Sequence, residues 1–353
     1  MDFLKTLYLN LLHRLGIFQL FHYFSRHKIT ILYVHGIMGH ENSVMKKSTK
    51  GNGQDHQWTP LRDQLSPQQL AASLHALSQQ YTFISLSDAV KILTKDIPPV
   101  KNALVITLDD GYLNNIKYGA PLFKQFNIIP SLFIATEHTQ HNRPFWFDRL
   151  DYALQQIAEN HYQVQIEQDP FCFDCSSRAS LKTSYAKFRQ IIKTRFTCDM
   201  QMRKYLDKIT SKIEQETGKA LSDIIDQDDW SAIATWQQLA EVINDGSFEI
   251  GNHTLNHARL ALVDAATMDT EIQQAKNIIE QKLAIKCSSF CYPDNSYSPA
   301  VISMIRDRLY ACGLTTDTGL NSIGCNMQTL KRFNMPIHKN PKKILYAISA
   351  LRN

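Results

Sequence analysis

From residue 28 onward, short apolar and β-branched runs alternate with amphipathic stretches, and the two spacings predict strands alternating with helices. Residues 28–35, with Ile29, Ile31, Leu32, Tyr33 and Val34, read as a first strand ending in His35 and Gly36. A polar, Gly-rich stretch over 39–61 reads as a loop. Ser66 then caps a helix with Pro67 at its first position and Leu70, Leu74 and Leu77 on one face. A strand is predicted over 81–86 and a helix over 87–94 capped by Ser87. Ala103 to Leu108 form an unbroken apolar strand, followed by a helix over 118–125 and a strand over 131–135. The alternation resumes late, with a helix over 235–244, a turn at Asp245 and Gly246, and a strand over 248–250.

Strands separated by helices pair in parallel through crossovers, as a barrel or an open doubly wound sheet. In both architectures functional groups collect at the carboxyl ends of strands. His35, Asp109 and Asp110 all occupy such ends.

Two regions depart from the alternation. Between about 150 and 234 helical periodicity dominates, through Tyr185, Phe188, Ile191 and Ile192 and then Tyr205, Ile209 and Ile213. This predicts a helical insertion within a unit running from 28 to 353. Residues 1–27 form a separate N-terminal amphipathic helical segment, too short between charges to span a bilayer and without a small-residue cleavage pattern. Residues 1–24 could lie on a membrane surface or pack on the chain's own core.

Composition narrows the class. The chain has 353 residues, 44% hydrophobic and 20% charged, which is the composition of a soluble globular protein. A net charge of +5 is too diffuse to indicate nucleic acid as a partner. Seven cysteines show no disulfide framework, which favours a reducing compartment, and Cys172 with Cys175 has no second pair at zinc-ribbon spacing.

The chemistry centres on Asp109, Asp110 and Gly111 at the end of the apolar strand. Successive strand side chains point to opposite faces, so two carboxylates fit together only at a strand end. There one can bind a metal while the other handles a proton, although Asp-Asp-Gly is also ordinary turn chemistry. His253 and His257 follow another strand end at the spacing of one helical turn. Two imidazoles and a carboxylate with open positions match a hydrolytic zinc site, and would also accept nickel, cobalt or iron.

Together these residues resemble the polysaccharide deacetylases of carbohydrate esterase family 4, the NodB-homology domain. Thr107 to Gly111 is similar to the family's first motif, and His253, Thr254 and His257 to its second. Leu32 to His35 is similar to its early Tyr-His strand end. The segment Arg143, Pro144, Phe145, Trp146, Phe147, Asp148, Arg149 and Leu150 resembles one found in a bacterial subgroup before a helical insertion. The resemblance implies a distorted (β/α) barrel of about seven parallel strands and removal of acetyl groups from sugars with a divalent metal.

By position, Asp110, His253 and His257 would hold the metal and Asp109 would act as general base. Phe290 to Asn295 resembles the third motif, in which the N–H of Asp294, after Pro293, would stabilise the oxyanion. Two departures stand out. The family's Arg falls at Cys291 and its Gly at Asn295, so Arg332 is the candidate to orient Asp109. The late Leu-His motif that supplies the general acid is not evident, which leaves His35 and His338 as candidates. Tyr112, Trp146, Tyr292 and Pro293 are candidates to line the sugar groove.

The leading expectation is a metal-dependent hydrolase that N-deacetylates a sugar in a cell-envelope polysaccharide or its lipid-linked precursor. Zinc is the expected ion and an acetylated glycan or glycolipid the partner. The expected location is cytoplasmic, with peripheral contact at the inner membrane face through residues 1–24. An impaired carbohydrate-binding or scaffold protein on the same barrel is the alternative. The intact Asp109, Asp110, His253 and His257 count against it.

Overall fold

The computed structural model describes Leu20 and residues 23–37, 58–337 and 342–348. Most of the 1–24 segment, the greater part of the 39–61 loop and His338 fall outside the described residues.

Strand β1 (Thr30–Val34) is followed by α1 (Pro67–Ser78), β2 (Thr82–Phe83), α2 (Leu86–Leu93) and β3 (Ala103–Leu108). Ser66 caps α1 in a full capping box with Gln69, as its spacing predicts. The next pair differs from expectation. The strand is only two residues long, and Ser85 rather than Ser87 caps α2 by accepting from the Asp88 N–H. Two serines two residues apart offer equivalent caps, and burial of Leu86 decides between them.

A single wide turn over Asn115–Gly119 leads into α3 (Ala120–Gln125), then β4 (Ser131–Ile134), α4 (Thr136–His141) and α5 (Trp146–Gln155). The next segment is not helical throughout. An antiparallel hairpin of β5 (His161–Ile166) and β6 (Asp169–Asp174) precedes two long helices, α6 (Arg178–Arg195) and α7 (Asp199–Thr217). The alternating burial of β5 is the period of a half-buried strand, which the stronger helical pattern downstream obscures. Then come α8 (Trp236–Asn244), β7 (Glu249–Asn252), α9 (Ala265–Leu283), β8 (Ser289–Cys291), α10 (Pro299–Asp307), β9 (Cys312–Leu314), β10 (Phe333–Asn334) and α11 (Lys342–Ala347).

The main sheet runs β10-β1-β3-β4-β7-β8-β9, all parallel, with β2 added beside the start of β3. A parallel bridge between Leu314 and Leu330 joins β9 to the chain entering β10. The seven-stranded ring is therefore drawn together by one narrow contact, which is the distorted (β/α) barrel. β3 is buried at every position, as a strand covered on both faces must be.

The barrel interior and the helix layer hold separate parts of the core. Ile31, Val105, Phe133, Cys291 and Leu314 pack with one cluster; Leu32, Ile106, Leu132 and Phe290 pack with another. The hairpin and α5 to α7 have their own apolar cluster, including Leu150, Phe173, Phe188 and Ile213. Among the described residues no helix is long and apolar enough to cross a membrane. The seven cysteines are free thiols.

Candidate active site

The carboxyl ends of β1, β3, β7 and β8 open on one cavity of about 430 Å³, lined by His35, Asp109, Asp110, His253, His257 and Tyr292 among others. Local backbone conformation sets these side chains. Asp110 and Gly111 both adopt φ of 78°, so the chain turns sharply off β3 instead of continuing the strand. Glycine accepts that conformation freely, whereas Asp110 is held there by its surroundings. Thr254 and His257 also have positive φ, 69° and 59°. The two histidines are therefore not on a helical turn, as their spacing suggests, but on an irregular loop whose left-handed residues bring the imidazoles back together.

That loop is tied down on every side. The Thr254 N–H donates to Asn252 Oδ1 at 2.7 Å, and Thr254 Oγ1 accepts from the Ala258 N–H at 3.0 Å. Glu271, buried on α9, accepts from the backbone N–H and side-chain amide of Asn256 at 2.8 and 2.9 Å. From the opposite side, Arg203 of α7 donates to the His257 carbonyl at 2.5 Å.

The histidines converge on Asp110. Its Oδ1 lies 3.5 Å from His253 Nε2 and 3.4 Å from His257 Nε2, and all three residues are buried. His253 Nδ1 is 2.8 Å from the Cys291 carbonyl. A carbonyl only accepts, so Nδ1 carries the proton and Nε2 presents a lone pair to Asp110. Asp110 Oδ1 nevertheless has no hydrogen-bond partner. A buried oxygen facing two imidazole nitrogens without a hydrogen bond fits a shared cation better than an ordinary polar contact. Asp109, His253 and Cys291 are equally close to one another. There, however, the Arg332 guanidinium donates to both Asp109 oxygens and to Cys291 Sγ, and its positive charge opposes a second cation.

Asp109 sits on the other side of the cavity floor. Arg332, fully buried just before β10, donates to both its oxygens, Nη1 to Oδ1 and Nη2 to Oδ2, each at 2.8 Å. The guanidinium is itself fixed by the Thr315 carbonyl at 2.8 Å, Thr107 Oγ1 at 3.0 Å and Cys291 Sγ at 3.1 Å. Burial would push the Asp109 carboxyl up, but Arg332 more than offsets it and holds the group below its ordinary value.

Two expected groove residues lie elsewhere. Tyr112 is fully buried, its hydroxyl donating to Asp148 Oδ2 at 2.7 Å, so it is core rather than cavity wall. Trp146 also does not line the cavity; its neighbour Phe147 does. Position i of a helix start and position i+1 face different ways, and the sequence alone offers no means to choose. Tyr292 and Asp294 line the wall, while Pro293 between them is buried and turned away. Asp294 has φ of 53° and its carboxylate is ion-paired with Lys193. Sequence reasoning missed Arg62, Arg189 and Phe147 in the wall and Arg203 behind His257. They come from the loop before α1, from α5 and from the insertion, where no spacing pattern signals a site.

Residues 193–313 match the family described as polysaccharide deacetylase, a span that includes the His253–His257 loop and the Tyr292–Asp294 wall. The match takes in the second half of the site and leaves the Asp109–Asp110 strand end outside it. No curated protein sequence matches it. Among solved structures it is similar in fold to the deacetylase PplD of Streptococcus pyogenes, in complex with acetate, at 15% identity and a TM-score of 0.56, covering 92% of this chain and 99% of that one. BC0361, a polysaccharide deacetylase from Bacillus cereus, is similar at 13% identity and a TM-score of 0.54, covering 92% and 69%. IcaB from Ammonifex degensii is similar at 13% identity and 0.51, covering 91% and 97%. These likenesses speak to the fold. The chemistry rests on the family match and the site.

Proposed function

We propose that this protein is a polysaccharide deacetylase, a metal-dependent hydrolase that removes the acetyl group from an N-acetylated sugar of a cell-envelope polysaccharide or its lipid-linked precursor. The observation that carries the reading is the orphaned Oδ1 of Asp110 between two imidazoles, beside a second aspartate locked by an arginine. Asp110, His253 and His257 would hold the ion, and a His₂-carboxylate set with open positions suits zinc. When bound, the ion would polarise the acetyl carbonyl and acidify water.

The remaining steps belong to side chains and backbone. Asp109, kept ionised by Arg332, takes the proton of the attacking water. The fork from Arg332 leaves each carboxylate oxygen a lone pair while preventing rotation of the group. The backbone N–H of Asp294 stabilises the developing oxyanion, and Lys193 neutralises the Asp294 carboxylate that would otherwise repel it. His35, which also lines the cavity, protonates the leaving amine. Arg332, just before the last strand, fills the place that Cys291 leaves vacant in the third motif, which weighs against the impaired scaffold reading. The proposal includes a cytoplasmic location with contact at the inner membrane face, supported by Tyr23 and Phe24, exposed beside Arg26 and Lys28.

The test is acetate release from N-acetylhexosamine oligomers and from lipid-linked acetylated sugars, with and without zinc. Zinc-dependent release that Asp109→Asn abolishes supports the reading. Absence of release from protein with a stoichiometric ion would sink it.

A further inference from the structure

The cavity wall contains a cation for which the chemistry above has no use. Arg189, on α6 of the insertion, lines the same cavity as Asp109 and Asp110. Three neighbouring cations each meet a carboxylate: Arg332 with Asp109, Arg62 with Asp148, and Lys193 with Asp294. Arg189 has no carboxylate partner among the described residues, and its Nε is buried without an acceptor. Its guanidinium lies 5.4 Å from the ring centre of Phe147, 5.7 Å from Trp146 and 5.8 Å from Tyr185. Those rings attract the cation through their π faces. They offer nothing to its N–H edge. Asp294 is near enough to feel the charge, but its carboxylate is taken by Lys193.

A buried donor with no acceptor is costly in isolation, and a planar fork held among three rings can meet an anion presenting two oxygens. We propose that Arg189 recognises an anionic substituent, a carboxylate or a phosphate, carried by the acetylated sugar. This deepens the deacetylase reading and rests on it for the identity of the sugar. In this arrangement the barrel supplies the hydrolytic groups and the insertion selects the charged substrate.

Calorimetric titration separates the two claims, because binding is read without turnover. The probes are N-acetylglucosamine 1-phosphate, N-acetylmuramic acid and the neutral trimer of N-acetylglucosamine, each against wild-type protein, Arg189→Gln and Arg189→Lys. Tighter binding of a charged probe than of the neutral one, by at least tenfold, is expected for wild type. That preference should vanish in Arg189→Gln and persist in part in Arg189→Lys, which keeps the charge without the fork. The phosphate and carboxylate arms show which anion is taken. Equal binding of neutral and charged probes by wild type overturns the proposal, even if Arg189→Gln fails to fold. So does a charge preference that survives Arg189→Gln. Acetate release measured on the same samples bears on the deacetylase reading alone, so charge-selective binding without release would reject that reading and leave the anion site standing.

Discussion

Two buried aspartates, one at the barrel mouth and one at the seam of the insertion, meet opposite fates. Asp109 on the barrel faces a guanidinium that is itself fully buried and fixed from several sides, and its carboxyl is held below the ordinary value. Asp151 on α5 is as deeply buried but has only neutral partners, the Leu61 N–H and the Gln155 amide, each at 2.7 Å. Burial pushes it up to about 6, with Arg62 and Arg178 too weakly placed to reverse the effect. Burial alone therefore does not decide the charge of a carboxylate. A rigid counter-charge at hydrogen-bonding distance does, and the barrel can supply one because its strands converge. The seam, built from a loop and the flank of a helix, supplies dipoles instead.

The most severe way to break this contrast is Asp109→Asn. Acetate release should fall by about 10²–10⁴-fold, the usual worth of a positioned base, with bound metal unchanged. A smaller loss would mean that Asp109 is only structural.

Arg332→Met removes the counter-charge and leaves Asp109 buried and unpaired, which should cost about 3–5 kcal/mol in urea unfolding. The same pair sets the acid limb of stability. The native Asp109 lies below its unfolded value of 3.8, so its contribution is complete above about pH 4 and is lost as pH falls through the depressed native value. Arg332→Met should erase that limb from an acid titration of the fold.

At the seam the sign reverses. A native value of about 6 against 3.8 unfolded makes Asp151 stabilising in its neutral form below pH 4, and this is lost as pH rises through about 6, a difference of about 3 kcal/mol. Proteolysis of the insertion should accordingly be slower at pH 4.5 than at pH 7.5, with Asp151→Asn flattening the dependence. Unchanged cleavage across that range would show that the seam does not respond to Asp151.

The gentlest probe is Arg203→Ala, which frees the His257 carbonyl. A lost charge-assisted hydrogen bond is worth about 1.5–3 kcal/mol, and here it should appear as weaker zinc affinity with global stability nearly intact. Unaltered zinc affinity would detach the insertion from the His253–His257 loop.

Much of the fold was legible in the residues themselves. The buried run from Ala103 to Leu108, the Ser66 capping box and the alternation of strand and helix depend on local spacing and side-chain type, which a sequence states directly. So did the convergence of Asp109, Asp110, His253 and His257, because strand ends in a parallel barrel share one face. Illegible features were those in which non-local contacts choose among equivalent local options. Ser85 rather than Ser87 caps α2. The β5–β6 hairpin lies inside a segment dominated by helical signal. Phe147 rather than Trp146 reaches the cavity, and Tyr112 turns inward to Asp148. By itself, then, the sequence determined which residues stand at the strand ends and which types of side chain they offer. Only the tertiary structure decided that Arg332, 223 positions beyond Asp109, locks that carboxylate, and that Arg189 of the insertion faces the same cavity. Local patterns constrain neighbours along the chain, whereas charge pairing and cavity walls depend on distances in space that closure of the barrel creates.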